Sequence, residues 1–183
     1  MSNENKYRAN SVYYRKRLQK IVNGIDFTNK KIVDLGCGEM ILKDLLSNQN
    51  VHYIGIDTID YGVSTTLNQI SVGQYFIPKA DYIFAIGLVD HLDDLTIWNL
   101  YENISNSEAK YLIIGVRNVN TIWPWVVNRN LRFDLKNSLP KYRCTQEKFI
   151  LKFPFYKQCI ELKKVLFARF FSTEVVYYFE LKQ

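Results

Sequence analysis

The segment Ile32-Val33-Asp34-Leu35-Gly36-Cys37-Gly38 ends an apolar run on a carboxylate and follows it at once with two glycines. Glycines at such a turn let backbone approach a ligand closely, and the start of the helix that follows offers unpaired N–H groups. Asp57 closes the next apolar run, Val51 to Asp57, and stands 23 positions beyond Asp34. A carboxylate about 20 residues past a glycine turn is where the ribose hydroxyls of a nucleotide cofactor are received. Together the two segments describe a site for an adenosine-containing ligand. The nicotinamide pattern G-x-G-x-x-G fails, because its third position is Ile41, and no Gly-Lys-Ser/Thr phosphate loop is present.

These residues need a scaffold, and the pattern around them predicts one. Short apolar runs at Lys31–Asp34, Val51–Asp57, Ala80–Leu88 and Lys110–Val116 alternate with helical spacing, the signature of a sheet with parallel crossovers. Met40–Leu46 has helical periodicity, and Asp94 is expected to cap a helix with Leu95, Trp98, Tyr101 and Ile104 on its inward stripe. Gln69–Val72 is expected as a short strand before Gly73, and Thr145 as the cap of a short helix stopped by Pro154. Two β-rich runs, about Gln158–Phe167 and Glu174–Leu181, predict an antiparallel edge hairpin.

With 183 residues, 48% hydrophobic, 23% charged and 15% aromatic, the chain fits one folded domain rather than a disordered or low-complexity one. No apolar run reaches the roughly 18–20 residues that span a bilayer, and the N-terminus lacks a signal-peptide stretch, so a cytoplasmic location is expected. Cys37, Cys144 and Cys159 are odd in number and far apart, so they read as buried thiols; with only two histidines, no metal site is expected. Net charge is +6, distributed as +6 over residues 1–31, −7 over 32–128 and +7 over 129–183. Basic ends around an acidic middle would suit an anionic partner. The first of them also reads as the solvated face of a helix, with Arg15, Lys16, Arg17 and Lys20 opposite a stripe of Tyr14, Leu18 and Ile21.

In order and spacing, KIVDLGCGEM, YIGID, ADYIFAIGLVDHLDD and YLIIGV resemble the class I S-adenosylmethionine-dependent methyltransferases, especially their small-molecule branch; the resemblance covers residues 31–118. It implies a Rossmann-like, doubly wound, mostly parallel seven-stranded sheet in the order 3-2-1-4-5-7-6, with S-adenosyl-L-methionine as cofactor. By that similarity Asp34, Gly36 and Gly38, with Cys37 between them, would hold the methionine part. Asp57 would hold the ribose, Thr58 and Ile59 one face of the adenine, and Gln74 its amino group. Gln74 stands where the family often has Asp, but its carbonyl still accepts a hydrogen bond. The family loop G-x-G-x-G has Met40 here at its third glycine. A side chain there is expected to crowd the ligand or open the turn, at roughly 1–2 kcal/mol if a left-handed conformation is needed.

Gly87, Asp90 and His91 follow a strand's carboxyl end, where ligands of open α/β sheets bind; His91 is the candidate base, with Asp90 beside it. Arg117 and Asn118 follow the next strand as candidate acceptor contacts, and Trp123 and Trp125 belong to a candidate lid. One domain is therefore expected over 1–183: a basic helix (1–30), the cofactor core (31–118), an acceptor lid (119–157) and the edge hairpin (158–183). Base methylators of the family carry Asn/Asp-Pro-Pro-Tyr/Phe or Pro-Cys after the fourth strand. Ala85-Ile86-Gly87-Leu88 stands there instead, which points away from nucleic-acid bases and toward a small-molecule acceptor. Two alternatives stay open at this point: a binding or scaffold protein that has lost turnover, and an RNA-binding relative using the basic ends.

Overall fold

A computed structural model describes residues 3–59, 67–69, 74–89, 92–117, 156–157 and 174–181. Elements in chain order are α1 (Asn3–Val22), β1 (Lys31–Leu35), α2 (Ile41–Leu45), β2 (His52–Asp57), β3 (Leu67–Gln69), β4 (Tyr82–Ile86), α3 (Asp94–Ser105), β5 (Tyr111–Arg117), β6 (Tyr156–Lys157) and β7 (Glu174–Leu181). One sheet orders the strands β3-β2-β1-β4-β5-β7-β6, the order the resemblance implied. Its body is five strands of five or more residues; β3 and β6, at the two edges, have three residues and two.

β1 pairs in parallel with β2 on one side and β4 on the other, so strand order reverses at β1 and the carboxyl ends of β1 and β4 open a crevice between them. β5 continues the parallel run, and β7 lies antiparallel along the whole of β5, from Tyr111 opposite Glu180 to Arg117 opposite Glu174. The β7 half of the expected hairpin is thus in place. Its described outer neighbour is Tyr156–Lys157, while the expected run 158–167 and the helix expected after Thr145 lie outside the described residues. β3 begins two residues before the expected Gln69–Val72 strand and pairs with Gly55–Asp57.

The continuous apolar runs are explained by burial on both faces. Val33, Leu35, Ile56, Ile83, Ala85 and Leu112 pack on one side with α3, and Ile32, Tyr53, Phe84 and Ile113 on the other with α1 and α2. Two readings of α3 are corrected. Its cap is Asp93, not Asp94: the Asp93 carboxylate accepts from the Thr96 N–H at 2.7 Å. Tyr101 and Ile104 are buried as expected, but Leu95 and Trp98 face outward; the inward stripe is Ile97, Leu100, Tyr101 and Ile104, a helical spacing that keeps four side chains on the sheet. In α1, Leu18 and Ile21 pack inward, while Arg15, Lys16 and Lys20 are exposed, as expected of a solvated face. Arg17 is the exception, half-buried and turned toward the sheet.

Candidate functional site

The turn after β1 is built on left-handed backbone: φ is +70° at Gly36, +50° at Gly38 and +54° at Met40. Two bonds pin it to the end of β2, with Gly36 N–H and Cys37 N–H both donating to the Ile56 carbonyl, at 2.7 and 3.2 Å. A Cβ at Gly36 would stand 2.8 Å from Leu88 Cδ1, so Leu88 would have to shift to make room for a side chain there. A Cβ on Gly38 would meet nothing within 4 Å, so the turn presents bare backbone to open space at that point.

Met40 neither crowds the crevice nor opens the turn. It adopts the glycine-like conformation, φ 54° and ψ 35°, while its side chain folds down into the core and is 2% exposed. The hollow that receives it lies over Gly55, which also accommodates the Cys37 thiol. The sequence reading of Met40 as an obstruction is therefore corrected: the side chain leaves on the side of the turn away from the open crevice, because β2 lacks a Cβ beneath it.

Asp57 faces the turn. One carboxylate oxygen accepts from Gly38 N–H at 2.9 Å and the other from Ile59 N–H at 3.1 Å. A carboxylate offers about four acceptor positions, so both oxygens retain capacity for hydroxyl donors. Asp34 is different. Its side chain lies beneath the turn, buried, and accepts a hydrogen bond from the Tyr53 hydroxyl. Burial raises the Asp34 pKa to about 7, against the lowering effect of the Tyr53 hydrogen bond and with a further push from the Asp57 charge. Burial also raises the Cys37 thiol to about 12, assisted by the charges of Asp34 and Asp57, and raises Tyr53, assisted by Asp34. Cys37 is thus an inert buried thiol.

At the end of β4, Gly87 has φ +70°, and the guanidinium of Arg17 lies 3.4 Å from where its Cβ would be. The same guanidinium sits 5.3 Å from the centre of the Tyr14 ring. α1 thus packs on the sheet face beside α2, to which the Arg15–Asp44 ion pair at 3.1 Å ties it, and reaches Gly87 through Arg17.

No family model and no curated protein matches this sequence. Solved structures do match the fold. A SAM dependent methyltransferase from Archaeoglobus fulgidus superposes with a TM-score of 0.66 at 18% identity, over 97% of each chain. The methyltransferase domain of bacterial CtHen1-C gives 0.64 at 20% identity, over 93% of this chain and 99% of that one. The fold is that of the S-adenosylmethionine-dependent methyltransferases. The PH0226 protein from Pyrococcus horikoshii, at 13% identity and a TM-score of 0.62, covers 99% of this chain and 92% of its own.

Within this methyltransferase fold, Gly36, Gly38, Asp57, Thr58, Ile59 and Gly87 gather at the carboxyl ends of β1, β2 and β4, with Thr58 and Ile59 exposed. Asp34 and Cys37 share the turn, but their side chains point into the core, so they do not stand on its open side. Gln74 is exposed in the turn that leads toward β4, and Arg117 ends β5. Asp90, His91, Asn118, Trp123 and Trp125 lie outside the described residues. No cluster of His, Cys, Asp or Glu suited to a metal occurs among the described residues, and none of the described helices is long and apolar enough to cross a membrane.

Sequence reading missed Tyr53 and Arg17. Tyr53 carried one signal, a phenol within an apolar strand, on the face of β2 that its register partner Ile32 shares with Asp34. Arg17 stands four residues before Ile21 and is half-buried, while Tyr14, expected on the inward stripe with Leu18 and Ile21, is exposed.

Proposed function

We propose that the chain is a cytoplasmic S-adenosyl-L-methionine-dependent methyltransferase acting on a small molecule. The observation that carries this reading is the left-handed Gly36–Gly38 turn with the Asp57 carboxylate bonded to it. That arrangement fits the cofactor: bare backbone at Gly38 borders open space, and Asp57 keeps acceptor capacity for a ribose diol. Gly36 and Gly38 would face the methionine part, Thr58 and Ile59 the adenine, and Gln74 its amino group. Asp34 would act from beneath as a positioning residue, its hydrogen bond from Tyr53 tying β1 to β2 below the turn. When bound, the cofactor supplies an electrophilic methyl group on a sulfonium.

Methyl transfer of this kind needs few catalytic side chains, and the protein's contribution is alignment and exclusion of water. Gly87 would border the reacting centre, with His91 as a base for a hydroxyl acceptor and Asp90 beside it. Arg117 and Asn118 would contact the acceptor, and the 119–157 segment, with Trp123 and Trp125, would cover it. Met40 and Gln74 supplied the reason to consider a decayed binding protein; the buried, glycine-like placement of Met40 removes its share of that reason. The test is calorimetry with S-adenosylmethionine and its demethylated product. Saturable binding that Asp57→Ala weakens is expected; absence of heat at millimolar ligand would overturn the proposal.

A further inference from the structure

A second cleft opens at the other end of the sheet. It has a volume of about 790 Å³ and is walled by the first residues of β1 and β2, the end of α2 and the approach to β4. Lys31 and His52, opposite each other in the β1–β2 register, stand at its rim. Lys31 lies five residues before Gly36, which at about 3.3 Å per residue separates this cleft from the glycine turn by roughly 16 Å. The volume is within the roughly 300–1,000 Å³ of small-molecule sites.

Its lining divides by chemistry. Lys31, Lys43 and Lys79 supply positive charge and Ser47 a hydroxyl, while the Asn50 amide already donates one hydrogen bond to Asn29 at 2.8 Å. The one carboxylate in the lining, Asp44, is already paired with Arg15, and Lys79 also reaches Glu108 at 3.0 Å through an exposed, weakly held contact. Most of the remaining wall is apolar, with Val51, Ile54 and Pro78, alongside His52 and Tyr53. Three cations beside an apolar wall match a ligand that carries a phosphate on an apolar body.

We propose that this cleft is a second binding site, separate from the cofactor crevice, for a small phosphate-bearing molecule with an apolar or aromatic body. The site does not depend on methyl transfer, so its test stands apart from that of the proposed activity. Phenyl phosphate, inorganic phosphate and phenol serve as probes, titrated into the full-length protein by calorimetry with and without saturating S-adenosylhomocysteine. Phenyl phosphate is expected to bind saturably and more tightly than either fragment, with an affinity that S-adenosylhomocysteine leaves unchanged. The variant K31Q/K43Q/K79Q should lose roughly tenfold or more of that affinity while its circular dichroism and melting temperature show that it folds. Absence of saturable binding at millimolar probe, equal affinity in the triple variant, or competition by S-adenosylhomocysteine would each overturn the site.

Discussion

The terminal methyl carbon of Met40 lies 3.0 Å from the point where a Cβ on Gly55 would stand. One residue occupies a glycine position of the turn, and a glycine on the neighbouring strand makes that occupation possible. The Cys37 sulfur is closer still to that point, at 2.8 Å, so Gly55 is held open by two sulfur-containing side chains at once. From this pair the first expectation follows: Gly55→Ala should overpack the hollow and cost about 1–3 kcal/mol in chemical denaturation.

Met40→Gly tests the same relationship from the other side. Relief of the left-handed backbone returns roughly 1–2 kcal/mol, whereas loss of a fully buried side chain removes roughly 2–5. The cavity outweighs the strain, so the variant should be less stable than the parent while its affinity for S-adenosylhomocysteine changes by no more than a few-fold. A large gain in affinity would show that Met40 does reach the crevice.

Asp57→Ala removes an ionised acceptor from the turn and from the proposed ribose contact. A charge-assisted hydrogen bond is worth about 1.5–3 kcal/mol, so the dissociation constant for S-adenosylhomocysteine should rise roughly ten- to a hundredfold. Asp57→Asn, which keeps one carbonyl acceptor, should lose less.

The Asp34 carboxyl titrates at about 7 in the fold, above its ordinary value of 3.8. Between those two values the unfolded chain gives up this proton and the folded chain keeps it. Stability therefore falls as pH rises from about 4 to about 7 and levels off above the folded pKa. Asp34→Asn can still accept from the Tyr53 hydroxyl and should flatten that part of the profile, which a series of urea titrations against pH would show. Tyr53→Phe should cost about 1–3 kcal/mol, since it leaves the buried Asp34 without its hydroxyl donor.

The Arg15–Asp44 ion pair makes a contrasting prediction. Both side chains are about half exposed or more, at 49% and 65%, so solvent screens the pair. Asp44→Asn should shift stability by less than about 1 kcal/mol, and high salt should erase the difference.

Much of the site's placement was legible in residue order. An acid and two glycines after one apolar run, and a second acid after the next, are local features, and the backbone answers them locally with positive φ and strand ends. Whether a side chain at a strand end or turn faces the crevice or the core is a different matter, because it depends on which neighbouring element leaves a hollow. That is why Asp34 proved to be buried beneath the turn and why α3 turned Leu95 and Trp98 outward, whereas the burial of Cys37 was already legible as that of a lone thiol.

By itself the amino-acid sequence determined the alternation of elements, the glycine turn, the position of Asp57 at a strand end and the antiparallel return of β7. Only tertiary structure decided that the Met40 side chain packs in the core, that Tyr53 bonds to Asp34 and that Arg17 lies over Gly87. The reason is physical. Periodicity and turn chemistry act over a few residues, whereas a hollow over Gly55 or a guanidinium above Gly87 is made by segments 15 to 70 positions apart in the chain, which meet once the sheet has brought them together.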